Sequence, residues 1–141
     1  MVSLITGEKG KGKTKYLLEM ANAAVTTAAG NIVYIDKNNK HMYELNRKVR
    51  LIDASRFPLK SADSFLGFLC GIASQDHDLE KVFLDSSLKN AKLGQDPKEI
   101  AEFIAELEKI SKLFQVDFVL SVSLNKEDLD PSLHDKISIS L

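Results

Sequence analysis

The residues best equipped for chemistry lie close to the start of the chain. Gly7-Glu8-Lys9-Gly10-Lys11-Gly12-Lys13-Thr14 interleaves glycines with cations directly after the apolar run Val2, Leu4, Ile5. Glycine adopts backbone conformations closed to other residues, so a glycine-rich run can wrap with successive N–H groups turned inward toward an anion. If a helix opens next, its N-terminal end adds a favourable field for phosphate. Lys13 then offers a point charge and Thr14 a hydroxyl oxygen for a hard cation such as Mg2+, with Lys15 continuing the basic run. Lys9 and Lys11 either add positive potential or are solvated loop lysines. A second group with chemistry is Asp85, which ends the apolar run Val82-Phe83-Leu84 and presents a carboxylate to a divalent cation.

These groups need a frame, and the hydrophobic pattern supplies one. Short β-rich runs alternate with helical ones: a strand over Val2–Thr6, a helix from about Lys13 to Ala29, and a strand over Asn31–Asp36, with Gly30 as the stop between them. Leu17, Leu18, Ala21, Ala24, Val25 and Ala28 make one apolar helix face. A short amphipathic piece around His41–Lys48 leads to an edge strand at Arg50–Ala54, and a helical stretch follows over Ala62–Ser74. In it Gly67 and Gly71 stand one turn apart, a spacing that suits close approach of a neighbouring backbone. Lys81–Asp85 is the next strand. Asp96-Pro97-Lys98-Glu99 reads as an N-cap, a first-turn proline and a capping-box glutamate. The helix it opens carries Ile100, Phe103, Ile104, Leu107, Ile110, Leu113 and Phe114 as its buried stripe. Strands over Val116–Ser121 and Lys136–Leu141 close the order. Continuous apolar runs such as VFL and FVL point to strands covered on both faces. The expectation is α/β: a three-layer sandwich with a mostly parallel sheet, residues 1–141 forming one nucleotide-binding domain.

With that frame, Gly7 to Thr14 fits G-x-x-x-x-G-K-[ST], the P-loop pattern, between a predicted strand and a predicted helix. A Gly/Lys-rich surface turn is the bland alternative. In a P-loop, Lys13 reaches the β- and γ-phosphates of the nucleotide, Thr14 ligates Mg2+, and Asp85 holds the metal through water. The stretches GEKGKGKT, YID at 34–36 and FLDSS at 83–87, together with the strand order, resemble a minimal RecA-like ATPase core, in which a strand separates the P-loop strand from the acidic one. That resemblance implies the P-loop NTPase fold, ATP and Mg2+ as ligands, and a polar γ-phosphate sensor at Ser121, for which a plain strand-end serine is the alternative. It also raises the question of a general base. Ser86 and Ser87 follow Asp85 where many related ATPases carry a glutamate. Beyond the second strand Asn38 cannot accept a proton, which leaves Asp36, as base or as cap of the next turn. The chain also resembles short stand-alone P-loop proteins labelled twitching-motility ATPases, but it lacks the histidine-bearing motifs of that motor.

These features imply an ATP-binding protein that turns over slowly, with a homo-oligomer or protein partner completing the site. Binding without turnover, as a nucleotide-sensing adaptor, is the alternative. Asn125-Lys126-Glu127-Asp128 fits the guanine-reading N-K-x-D segment on its face, yet no D-x-x-G switch follows Asp85. Arg47, Arg50 and Arg56 are a solvated basic segment, an acidic-ligand site or an arginine finger, and no kinase lid surrounds them. Cys70 lies among apolar neighbours as an inert thiol. A net charge of -1 with 28% charged and 44% hydrophobic residues gives no global bias toward nucleic acid or membrane. The lack of an apolar span or basic leader makes a cytoplasmic location the expectation.

Overall fold

In the computed structural model, which describes residues 1–141, every strand pairing is parallel. The strands are β1 (Val2–Thr6), β2 (Asn31–Asp36), β3 (Val49–Asp53), β4 (Leu79–Leu84), β5 (Asp117–Val122) and β6 (Ile137–Ser140). They form one six-stranded sheet in the order β3-β2-β4-β5-β1-β6. Strand β5 therefore lies between β1 and β4, the two strands that lead into Gly7 and Asp85.

The alternation of strand side chains explains the helix layers. Ile5, Ile32, Tyr34, Phe83 and Val119 point to one face and meet Leu17, Leu18 and Ala21 of helix α1 (Lys13–Thr27). Leu4, Val33, Ile35, Val82, Leu84, Phe118 and Leu120 point to the other. There they meet Phe65 and Leu69 of α2 (Ala62–Gln75) and Ile100, Phe103, Ile104 and Leu107 of α4 (Pro97–Phe114). Both faces of the sheet are thus dry, which is what the unbroken apolar runs require. A short helix, α3 (Ser87–Asn90), follows β4 directly. Its four residues are too few to leave a periodic signature in the sequence.

Local signals set the boundaries. The Asp96 side chain accepts from Lys98 N–H and Pro97 opens α4, while Glu99 does not complete a capping box. The reciprocal box belongs to α2 instead, where Ser61 and Ser64 cap one another. Gly30 is required by packing: a Cβ there would stand 2.0 Å from the Asp78 carbonyl oxygen.

Several expectations need correction. Leu113 is 73% exposed, because it falls outside the face that α4 turns to the sheet. Gly67 and Gly71 face outward, with nothing within 4 Å of where a Cβ would stand, so no backbone approaches them. The His41–Lys48 stretch is a series of turns, held by bonds such as Met42 N–H to the Asn39 carbonyl, that buries only Leu45. No helix of the chain is long and apolar enough to cross a membrane.

Candidate functional site

The loop from Gly7 to Gly12 joins β1 to α1 at the carboxyl edge of the sheet. Gly7 N–H is anchored on the Leu124 carbonyl at 2.9 Å, and its φ of +152° puts a hypothetical Cβ 3.0 Å from Leu141 Cβ. Gly12, at φ +89°, is the N-cap of α1 in a conformation that disfavours any side chain. The N–H groups of Gly10, Gly12, Lys13, Thr14 and Lys15 have no acceptor in the protein. No acidic residue in the first turn of α1 offsets their charge. The loop accordingly carries unpaired donors beside a helix terminus, an arrangement suited to an anion.

Lys13 lies under this loop. Its side chain is buried and its Nζ donates to the Glu8 carbonyl at 3.0 Å. Burial pulls its pKa below the usual lysine value, and the negative charge of Asp85 partly restores it. Thr14 is half-buried and its hydroxyl makes no hydrogen bond within the protein. Lys9, Lys11 and Lys15 are exposed. Glu8 is exposed too, and its Oε1 accepts from Asn125 Nδ2 at 2.9 Å, which ties the N-K-E-D segment to the loop.

Asp85 is the hub of a buried polar network. Its Oδ1 accepts from the Ser121 hydroxyl at 2.9 Å and from Ser86 N–H at 2.9 Å. Its Oδ2 accepts from the Tyr34 phenol at 2.9 Å. Its backbone carbonyl accepts from Asn90 Nδ2, and Ser87 Oγ donates to the Ser121 carbonyl. Ser86 holds φ 52°, a left-handed conformation uncommon for serine, which aims its N–H back at Asp85 and Ser121. The Ser121 hydroxyl donates to Asp85, and its oxygen accepts from Ser86 N–H at 3.1 Å.

Asp36 completes the acidic part of the site. It is buried at the end of β2, and its Oδ1 accepts from Lys37 N–H at 2.7 Å, the contact of a turn cap. Burial first, and the charge of Asp85 second, raise its pKa above the usual carboxylate value. The exposed side chains of Arg47, Arg50 and Arg56 form no ion pair.

Two members of the Asp85 network, Tyr34 and Asn90, are given no role of their own by the sequence motifs. Tyr34 is the one that carried a signal: a tyrosine inside the buried run NIVYID must find a partner for its hydroxyl. Asn90 carried none, since it acts through a contact set by chain geometry, and Asn125, read as part of the N-K-x-D segment, meets Glu8 instead.

The donor set limits how a cation could be held. Asp85 already accepts three hydrogen bonds, leaving about one of its roughly four acceptor positions. No group of three or more His, Cys, Asp or Glu side chains gathers anywhere in the chain. An all-protein cage is therefore absent, whereas Mg2+, which keeps its waters and leans on a carboxylate plus phosphates, suits Thr14 and Asp85. No protein-family model matches the chain, and no curated protein matches it.

Proposed function

We propose that this chain is a P-loop protein that binds Mg2+·ATP on residues Gly7 to Lys15 and hydrolyses it slowly. The observation that carries the reading is the pairing of unpartnered loop N–H groups with a buried Lys13 held in the field of Asp85. The order β4-β5-β1 supports a RecA-like core, in which one strand separates the loop strand from the acidic one. In this reading the loop N–H groups and Lys13 take the phosphates, and Thr14 and, through water, Asp85 hold Mg2+. The metal would neutralise phosphate charge as it develops. Ser121 and Tyr34 orient Asp85. This reading assigns the base to Asp36, whose burial increases its proton affinity.

Ser86 and Ser87 stand where a glutamate would activate water; Ser86 joins the Asp85–Ser121 network through its backbone N–H and Ser87 through its hydroxyl. That favours a second reading, a nucleotide-sensing adaptor that binds without turnover, and in the first reading it leaves room for a partner or a second copy to accelerate the step. The contact between Asn125 and Glu8 makes GTP the comparison nucleotide. The test is a single-turnover assay with protein in excess over labelled ATP or GTP in Mg2+, beside Lys13→Ala. Cleavage of ATP that disappears in the variant is the expected result. Bound but intact nucleotide selects the adaptor, and no saturable nucleotide binding overturns both readings.

A further inference from the structure

A second cleft opens at the carboxyl edge of the sheet, among the segments that follow β2, β3 and β4. Its volume is about 450 Å³, and its walls include Lys37, Lys89, Lys92, Asn90, Phe57 and Leu59. None of the three lysine ammonium groups is within 4.0 Å of a carboxylate. By contrast Lys136, elsewhere on the chain, is paired with Glu108 at 2.8 Å. Ammonium ions gathered on one cavity repel one another and raise the local potential for an anion. Lys92 is moreover held at φ 57°, a conformation that ordinarily selects glycine or asparagine, so its place at the cleft runs against backbone preference.

The remaining wall is mixed, with Ala54, Phe57 and Leu59 beside Asn38, Ser55 and Asn90. Phe57 is 44% exposed and its ring is fixed against Phe68, with centroids 4.8 Å apart. Asn90 is buried and donates to the Asp85 carbonyl at 3.0 Å, which fixes this wall to the end of β4. Crevices outside the carboxyl ends of parallel strands are the usual ligand sites of such sheets. The cleft shares no residue with the Gly7–Lys15 loop.

We infer that this cleft is a second ligand site for a small phosphate ester. The phosphoryl group engages Lys37, Lys89 and Lys92, and the carbon part covers Phe57 and Leu59. Compact ammonium charges lining one cavity suit a phosphate dianion, whereas a planar carboxylate is better matched by a guanidinium fork. The inference goes beyond nucleotide binding and is testable without it.

The experiment titrates phenyl phosphate into isotope-labelled Lys13→Ala protein and follows backbone amide shifts. Saturable shifts at residues 37–38, 54–59 and 89–92, absent with phenol, are expected. Lys89→Glu should weaken the site about fivefold or more. Lys92→Gly should weaken it as well while relieving the left-handed strain, so loss of fold cannot account for the effect. Shifts that do not saturate, that centre on residues 7–15, or that keep their midpoint in both variants would overturn the inference. A parallel ATP titration of the unsubstituted protein reports on residues 7–15, so failure of the nucleotide reading is seen separately.

Discussion

Tyr34 on β2 donates its phenol proton to Asp85 at the end of β4, 2.9 Å away and 51 residues distant in sequence. The two strands are neighbours, with Tyr34 opposite Phe83, and Asp85 N–H is bound to the Ile35 carbonyl. Burial, followed by the charge and the hydrogen bond of Asp85, holds the Tyr34 pKa far above the usual tyrosine value. The phenol therefore stays a donor at neutral pH and well above it. Tyr34→Phe keeps the ring in its stack with Phe83 and removes only that donor. It should lower stability by about 1–3 kcal/mol, the cost of an acceptor left unsatisfied in a buried site. Under the proposed role of Asp85 in holding Mg2+, it should also raise the Mg2+ needed for half-maximal ATP binding about tenfold. Urea unfolding and a Mg2+ titration at fixed nucleotide check both, and an unchanged Mg2+ midpoint would reduce Tyr34 to a structural residue.

Asp36 gives a pH signature of the opposite sign to a salt-bridged acid. Its folded pKa lies above the unfolded one because burial and Asp85 both disfavour its charge. Between the unfolded value, about 3.9, and the raised folded value, the native state holds more protons than the unfolded chain, so this contribution to stability falls as pH rises. Asp36→Asn keeps an oxygen for Lys37 N–H and removes the charge. It should stabilise the nucleotide-free protein by about 1–3 kcal/mol at neutral pH, with the gain shrinking as the medium is acidified. The same variant should slow single-turnover cleavage if Asp36 is the base. Thermal melts across pH, compared with the parent, would expose a gain that fails to shrink.

The sheet was legible because its signals are local. Unbroken apolar runs marked Asn31–Asp36 as a strand, and Val2–Thr6 led straight into a glycine-rich loop, so the order of elements followed from the chain itself. Parallel strands then put Asp85 and Lys13 at the same edge of the sheet. What stayed hidden depends on chain returns of unknown register. The Tyr34–Asp85 and Asn125–Glu8 bonds join segments whose relative height is set by pairing. Leu113 matched the helical spacing of its neighbours, yet lies beyond the arc that the sheet covers. Gly67 and Gly71 show the converse: their spacing is compatible with a packed face and equally with an open one.

Glu108 on α4 ties three parts of the fold together. Burial would raise its pKa, but the Lys136 hydrogen bond and charge and the Val2 N–H outweigh it and hold the carboxyl below its usual value. That contribution is fully present above the unfolded value of about 4.3 and is lost as pH falls through the folded one. Glu108→Gln should therefore cost about 1.5–3 kcal/mol at pH 7, the range for hydrogen bonds to a charged group. The two proteins should converge in stability under strongly acidic conditions. A constant gap across the whole acid range in denaturant titrations would rule out this account.

Thr6 ends β1 one residue before the glycine loop, and its Oγ1 is the single buried side-chain polar atom without a hydrogen-bond partner. The residue is 0% exposed, so the hydroxyl gives up its water on folding and gains no partner in return. Thr6→Val preserves the branched shape that the strand packs and removes the unpaired group. It should stabilise the chain by about 1 kcal/mol, at the lower end of the desolvation cost of a buried hydroxyl. The ATP affinity of the loop should not change, because no hydrogen bond links the Thr6 side chain to it. Calorimetric melting of the two proteins, read beside an ATP titration, decides the matter. A lower melting temperature would mean that the hydroxyl is satisfied in solution, and a weaker ATP affinity would place it among the groups that shape the loop.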